Sequence, residues 1–400
     1  MAGTADALPK ALARRIRQHV IGRPQVFFAV TLPGLEALCR DELAALPEPP
    51  EEMALETGGV LFKGRVTTAY QANLMCRTAI RILMRIAHFK AANFGALEKG
   101  VQAVPWERYL KNSAPPTVRV SAHQSRLHHR EAVAQRIRKA VAERLAAETI
   151  PVVQASEHGA PGLWARLDND RLTLSLDSSG APLYKRGLKT HGGPAPLRET
   201  LAAAILMLAG YDGRMPLCDP MCGSGTFAIE AAMMLKQIPP GGYRTFAFMD
   251  WPCFRRPHWD HLLRQAIGTA DPPDPPRIWA SDRSRTAVTQ LARCLAGSQL
   301  ADAIDLQQRD FFDLDGTALN PRGGLVVLNP PYGRRLGHAA AAPRLLGTIL
   351  HKLQQDFNGW RAAILLPEKR LLGQFPFTVD AHKILHGGKP TWLAIGAIAS

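Results

Sequence analysis

Leu325-Val326-Val327-Leu328-Asn329-Pro330-Pro331-Tyr332 is the stretch whose reading decides the fold. Four apolar residues, two of them β-branched, stand between Gly323-Gly324 and a Pro-Pro pair, which reads as a short buried strand. Asn329 to Tyr332 then sit at its carboxyl end, where open α/β sheets place their ligands. Each proline removes a backbone N–H and drives the residue before it out of the α region. The turn is therefore stiff, and it holds the Asn329 amide and the main-chain carbonyls in fixed directions. Rigid acceptors beside a ring suit a planar base carrying an exocyclic amino group. The Asn329 side-chain oxygen and the Pro330 carbonyl would accept its two N–H bonds while Tyr332 stacks on its face. The competing reading is a proline-rich loop whose Tyr332 only packs against the core.

Around this stretch, strands and helices alternate. Helical spacing covers 197–208, 226–236, 284–296 and 343–356, and strand-like runs cover 217–218, 278–280, 304–307 and 362–366. The pattern predicts a mostly parallel, doubly wound sheet. A Pro/Gly/Trp-rich insertion, 239–276, interrupts it.

Asp219-Pro220-Met221-Cys222-Gly223-Ser224-Gly225-Thr226 follows the first strand of that sheet and opens a helix. Gly223 and Gly225 let the backbone approach a ligand closely, and the helix start offers free N–H groups. Ala228 stands where a third dinucleotide-binding glycine would be, and no lysine follows to make a phosphate loop. Asp219 would repel a phosphate and favours a cationic or amino-bearing ligand, which points to S-adenosylmethionine. Asp282, just after the next strand, can take both ribose hydroxyls. Asp310, after the third, can accept from the adenine amino group. Cys222 lies inside the turn as a small residue filling space.

The first half of the chain has a different texture. Residues 25–32 and 60–62 are strand-like, and 35–46 is helical in spacing, making a small α+β unit. Residues 70–89 read as a long amphipathic helix with Arg77, Arg81 and Arg85 along one stripe. A strand over 117–120 precedes the most basic region, whose helix over 131–147 has an apolar stripe of Ala132, Val133, Ile137, Val141 and Leu145. Arg119, Arg126, Arg130, Arg136 and Lys139 are its candidate contacts to a phosphate backbone. A hairpin turns at Asn169-Asp170, and a cluster of breakers at 191–196 predicts a domain boundary.

The chain has 400 residues, enough for two or three domains, and a formal charge of +15 from 49 Lys+Arg against 34 Asp+Glu. That balance implies a polyanionic partner, by default nucleic acid. The longest apolar runs are too short to cross a bilayer. Residues 1–24 are basic without an apolar core and so do not read as a secretory signal. The six cysteines are scattered with no Cys-x-x-Cys, and three histidines near 123–129 lack Cys or Asp partners. This speaks against a bound metal and for a reducing, cytoplasmic setting.

Taken together, these motifs resemble the THUMP-domain class I RNA methyltransferases, most closely the RlmL-like 23S rRNA guanine-N2 methyltransferases. The stretches that carry the resemblance include Pro33-Gly34-Leu35-Glu36, Lys185-Arg186-Gly187, Pro196-Leu197-Arg198-Glu199-Thr200, Asp219 to Thr226 and Leu328 to Tyr332. The resemblance implies a ferredoxin-like piece (25–68) after the basic extension (1–24), an RNA-docking THUMP domain (69–188) and a Rossmann-like catalytic domain (189–400). It implies S-adenosylmethionine as cofactor, an RNA partner, and Arg198 and Thr200 close to the cofactor. Arg283 stands where the family often has a second acid, Gln124-Ser125 where it often has Lys-Ser, and the chain stops before a second methyltransferase domain. The same motif also serves adenine N6 or a glutamine side chain, and THUMP enzymes also act on tRNA. A non-catalytic RNA-binding assembly factor is the reading from a different class.

Overall fold

The computed structural model describes residues 8–111, 115–148, 160–188, 197–268, 277–332 and 341–399. By packing the chain forms two units, one of residues up to 31, 39–183 and 244–264, the other of 32–38, 184–243 and 265–400. The boundary expected at 191–196 falls outside the described residues.

In the first unit, β1 (Gln25–Val30), β2 (Glu52–Glu56), β3 (Gly59–Gly64), β4 (Arg81–Lys90), β5 (Thr117–His123), β6 (Gly162–Asp168) and β7 (Arg171–Asp177) form one sheet. Its order is β2-β3-β1-β4-β7-β6-β5. The β5–β6 pair is parallel and the other pairs are antiparallel. The β6–β7 turn has positive φ at both Asn169 (50°) and Asp170 (59°), the backbone a two-residue hairpin needs. Helix Arg130–Ala147 buries Val133, Ile137, Val141 and Leu145, as its spacing predicts. The N-terminal extension is helical over Lys10–Ile16, and Leu12, Ile16 and Val20 are buried, so part of it is core. Residues 244–264 also pack in this unit, where Phe248 stacks on Tyr70 with ring centroids 4.1 Å apart.

The long helix expected over 70–89 does not form. Helix Val66–Met75 ends at Cys76, whose ψ of 121° is extended, and β4 begins at Arg81. Ile82, Leu83 and Met84 are all buried between β1 and β7. A segment buried on both faces loses helical periodicity as a guide, and ladder bonds to two neighbours fix it as a strand. The arginine stripe dissolves with the helix. Arg81 is buried and paired with Asp177, while Arg85 pairs with Glu56 at 2.8 Å.

The second unit contains β8 (Leu217–Asp219), β9 (Ile278–Asp282), β10 (Ile304–Gln308), β11 (Leu325–Leu328), β12 (Arg361–Leu366), β13 (Asp380–His386) and β14 (Lys389–Ala397). Their order is β10-β9-β8-β11-β12-β14-β13. The first five run parallel, and in the final hairpin, which the sequence reading did not anticipate, β14 is antiparallel to both β12 and β13. One face carries Leu217, Leu325, Val327 and Leu365 against helices Glu199–Leu208, Thr226–Leu235 and Arg285–Leu295. The other carries Cys218, Val326, Leu328 and Ile364 against helix Ala341–Asp356. Two buried faces explain why β11 and β12 read as unbroken apolar runs. The architecture is the expected Rossmann-like α/β fold.

Candidate active site

Strand order reverses between β8 and β11, because β9 and β10 lie on one side of β8 while β11 and β12 lie on the other. Such a switch point opens a crevice at the carboxyl ends of the strands. The two motifs meet there. In the β8–β11 ladder Val326 faces Cys218, so Asn329 and the Pro220-Met221 turn leave adjacent strands, about 5 Å apart, at the same level. Met221 and Tyr332 pack on one hydrophobic cluster, which holds them on one face of the sheet.

The glycine turn is locked from below. Cys222 N–H donates to the Ser281 carbonyl (2.9 Å) and Gly225 N–H to the Cys222 carbonyl (2.7 Å). Gly223 and Gly225 have φ of 51° and 71°, conformations that a side chain resists. A Cβ on Gly225 would lie 2.4 Å from both δ-carbons of Leu291, whereas one on Gly223 would meet nothing within 4 Å. Gly225 is thus needed for packing, and Gly223 borders open space. Thr226 begins the helix and is buried.

Asp282 ties the neighbouring strand to this turn. Its Oδ2 accepts from Gly223 N–H at 2.9 Å and its Oδ1 from Ser284 N–H at 2.8 Å. Each carboxylate oxygen keeps lone-pair capacity for a hydroxyl. Asp310 Oδ1 accepts from Phe312 N–H at 3.1 Å, capping the turn after β10. Asp219 is buried at the end of β8. Burial, and after it the charge of Asp219, pushes the Cys222 thiol far above its ordinary range, as it does that of Cys218. Cys222 is therefore a small neutral filler and no nucleophile.

Asn329 is exposed, and its amide has no hydrogen bond among the described residues. The Pro330 carbonyl accepts from Tyr332 N–H at 2.8 Å, which closes the turn and leaves one lone pair. The Tyr332 ring is half-buried, and burial raises its phenol pKa, so it stays neutral. Arg198 precedes helix Glu199–Leu208 and lies over the Tyr184 ring at 5.1 Å. Thr200, in the first turn of that helix, is fully buried. The helix shares its apolar cluster with Cys222 and Phe227.

One group that sequence reading missed supports the turn. Arg186 and Glu230, 3% and 0% exposed, form a fork with Nε–Oε1 at 2.9 Å and Nη2–Oε2 at 3.4 Å. It clamps the helix that follows the glycines, and only the Lys185-Arg186-Gly187 motif hinted at it.

Among the candidate cations of the first unit, Arg119 is exposed on edge strand β5 with its guanidinium 5.0 Å from the Trp164 ring. Arg126 is exposed and 3.6 Å from Asp170, and Arg130 is exposed at the start of its helix. Arg136 is paired with Glu98 at 2.7 Å, and Lys139 lies 3.7 Å from Glu143. Among the described residues no group of three His, Cys, Asp or Glu is placed to hold a metal, and no helix is long and apolar enough to cross a membrane.

Residues 186–377 match the family described as the RMKL-like methyltransferase domain, and residues 26–83 match the RlmL ferredoxin-like domain. A protein of Synechocystis sp., provisionally named an RNA methyltransferase, is 32% identical over 372 residues, covering 92% of this chain and 95% of its own length. The chain belongs to the RMKL-like methyltransferase family. The ribosomal RNA large subunit methyltransferase K/L of Syntrophotalea carbinolica is 34% identical over 90% of this chain, and the match covers 51% of its own length. The chain thus spans about half the length of that relative. Among solved structures, SMU.472, provisionally described as a methyltransferase and crystallised with S-adenosylhomocysteine, superposes with a TM-score of 0.83 at 28% identity. That match covers 94% of this chain and 99% of the other. The cofactor of this RMKL-like methyltransferase is S-adenosylmethionine. The open space at Gly223 and the half-used carboxylate of Asp282 fit it.

Proposed function

We propose that this chain methylates the exocyclic N2 amine of a guanine in RNA, with 23S ribosomal RNA as substrate, in the cytoplasm. The observation that carries the reading is the exposed Asn329 amide, one strand from the glycine turn at the switch point. The RNA in the names of its relatives and the +15 charge support the substrate class.

Guanine N2 is a weak nucleophile because its lone pair is delocalised into the ring. The Asn329 side-chain oxygen and the remaining lone pair of the Pro330 carbonyl take its two N–H bonds and favour a pyramidal nitrogen. The neutral Tyr332 ring stacks on the extruded base. S-adenosylmethionine, when bound, supplies an electrophilic methyl on a sulfonium. Asp282 and Asp310 hold its ribose and adenine ends, with Asp219, Gly223, Gly225 and Thr226 around the rest. No strong base is required, since the cationic methylated nitrogen is a strong acid and gives its proton to water after transfer. Positioning and electrostatics supply the acceleration. Residues 69–188 dock the RNA, with Arg119, Arg126 and Arg130 on its phosphates.

Mass mapping of modified nucleotides from a deletion strain tests the reading. The expected result is loss of one N2-methylguanosine from 23S rRNA, restored by the purified chain. Loss from tRNA instead would move the substrate, and no loss in either RNA would overturn the proposal.

A further inference from the structure

The carboxyl edge of the second sheet continues past the target-base turn. Leu328 faces Ile364 in the β11–β12 ladder, so two residues further on Pro330 comes level with Leu366. Leu366 faces Trp392 on β14, and Trp392 faces Lys383 on β13. Pro330, Leu366, Trp392 and Lys383 therefore stand abreast along the edge, with Trp392 about 10 Å from the turn at ordinary strand spacing. Trp392 packs on the same cluster as Tyr332, which places both on one face. The directly opposed Lys383 shares that face.

Lys369, in the turn after β12, lays its Nζ 5.3 Å from the centre of the Trp392 ring. Lys369 and Lys383 are both exposed, and neither has a carboxylate partner among the described residues. The acids nearby are otherwise engaged or distant. Glu368 is paired with Arg370, and Asp380 lies at the far end of β13. A flexible ammonium pinned over an indole has already lost part of its rotamer freedom, so it costs less to order on an anion.

We infer that Lys369 and Lys383, with Trp392 holding Lys369 in place, grip the phosphates of the RNA strand beside the target nucleotide. The inference rests on the reading of the chain as an RNA methyltransferase and names a contact outside the basic region of the first unit. Trp392 acts through Lys369 and is a positioning residue.

The test uses the full chain, an in vitro transcript of 23S rRNA, and the variants Lys369→Gln/Lys383→Gln, Trp392→Phe and Trp392→Leu. Each phosphate contact to single-stranded RNA adds about 0.7 to the slope of log affinity against log salt. The double lysine variant should lower that slope by about 1.4, raise KM about tenfold at low salt, and leave kcat and S-adenosylhomocysteine affinity unchanged. Trp392→Phe should match the parent, while Trp392→Leu should show about half of that decrease in slope, because only Lys369 lies over the ring. Variants with the parent's slope would overturn this inference alone. A parent that binds and methylates no RNA would overturn the functional reading and this inference together.

Discussion

Separate alanine substitutions at Gly223 and Gly225 should pull cofactor binding apart from folding. At Gly225 the new methyl is forced to a φ of 71° and lies 2.4 Å from both δ-carbons of Leu291, which is 1% exposed in the core. Left-handed backbone costs a non-glycine residue about 1–2 kcal/mol. Overpacking a core adds about 1–3 kcal/mol. The sum, about 2–5 kcal/mol, lowers the melting temperature by roughly 4–20 °C for a chain of this class. At Gly223 φ is 51° and nothing lies within 4 Å, so only the backbone cost of about 1–2 kcal/mol remains. That variant should melt only a few degrees below the parent. Its methyl, however, enters the space beside the N–H that Asp282 holds, so S-adenosylhomocysteine affinity should fall tenfold or more. Thermal melts without ligand and isothermal titration with it give both quantities. If Gly223→Ala binds like the parent, the glycine turn is not the cofactor cradle. If Gly225→Ala melts no lower than Gly223→Ala, the packing argument is wrong.

Three further outcomes follow from the same geometry. Arg186→Met strands the buried Glu230 carboxylate and should cost about 3–5 kcal/mol in denaturant melts, with Arg186→Met/Glu230→Met recovering much of it. Because burial raises the thiol pKa of Cys222, its thiolate is scarce at pH 8, and peptide mapping should find it unalkylated by iodoacetamide until the protein is denatured. Arg130→Ala should weaken RNA binding and flatten its salt dependence more than Arg136→Ala, since Arg136 is already tied to Glu98 and lies 5.4 Å from the Phe94 ring centre. Filter binding across a salt series measures that difference.

The catalytic half was legible because its central strands β11 and β12 are buried on both faces and strand ends are marked by glycines, an acid or a Pro-Pro pair. Gly223 and Gly225 announce a turn, Asp282 closes the next strand, and Pro330-Pro331 end β11 where the ligand crevice must be. The first half was harder. Ile82, Leu83 and Met84 are successive apolar residues in the part of β4 that is buried on both faces, and a short apolar run fits a helix as well as a strand. Arg81 and Arg85 then looked like a solvent stripe, although each is consumed by an acid far away in sequence. The β13–β14 hairpin escaped notice because Lys383 interrupts edge strand β13 and Lys389-Pro390 open β14 without an apolar signal. The Arg186–Glu230 clamp spans 44 residues and carries no local pattern.

The most direct test concerns Asn329, whose exposed amide should serve the reaction and not the fold. Asn329→Ala is expected to bind S-adenosylhomocysteine as the parent does, in isothermal titration, while its single-turnover methylation of a 23S rRNA transcript slows more than tenfold. Unchanged turnover would contradict the account, since the Pro330 carbonyl, already accepting from Tyr332 N–H, is left to orient the amine with a single lone pair.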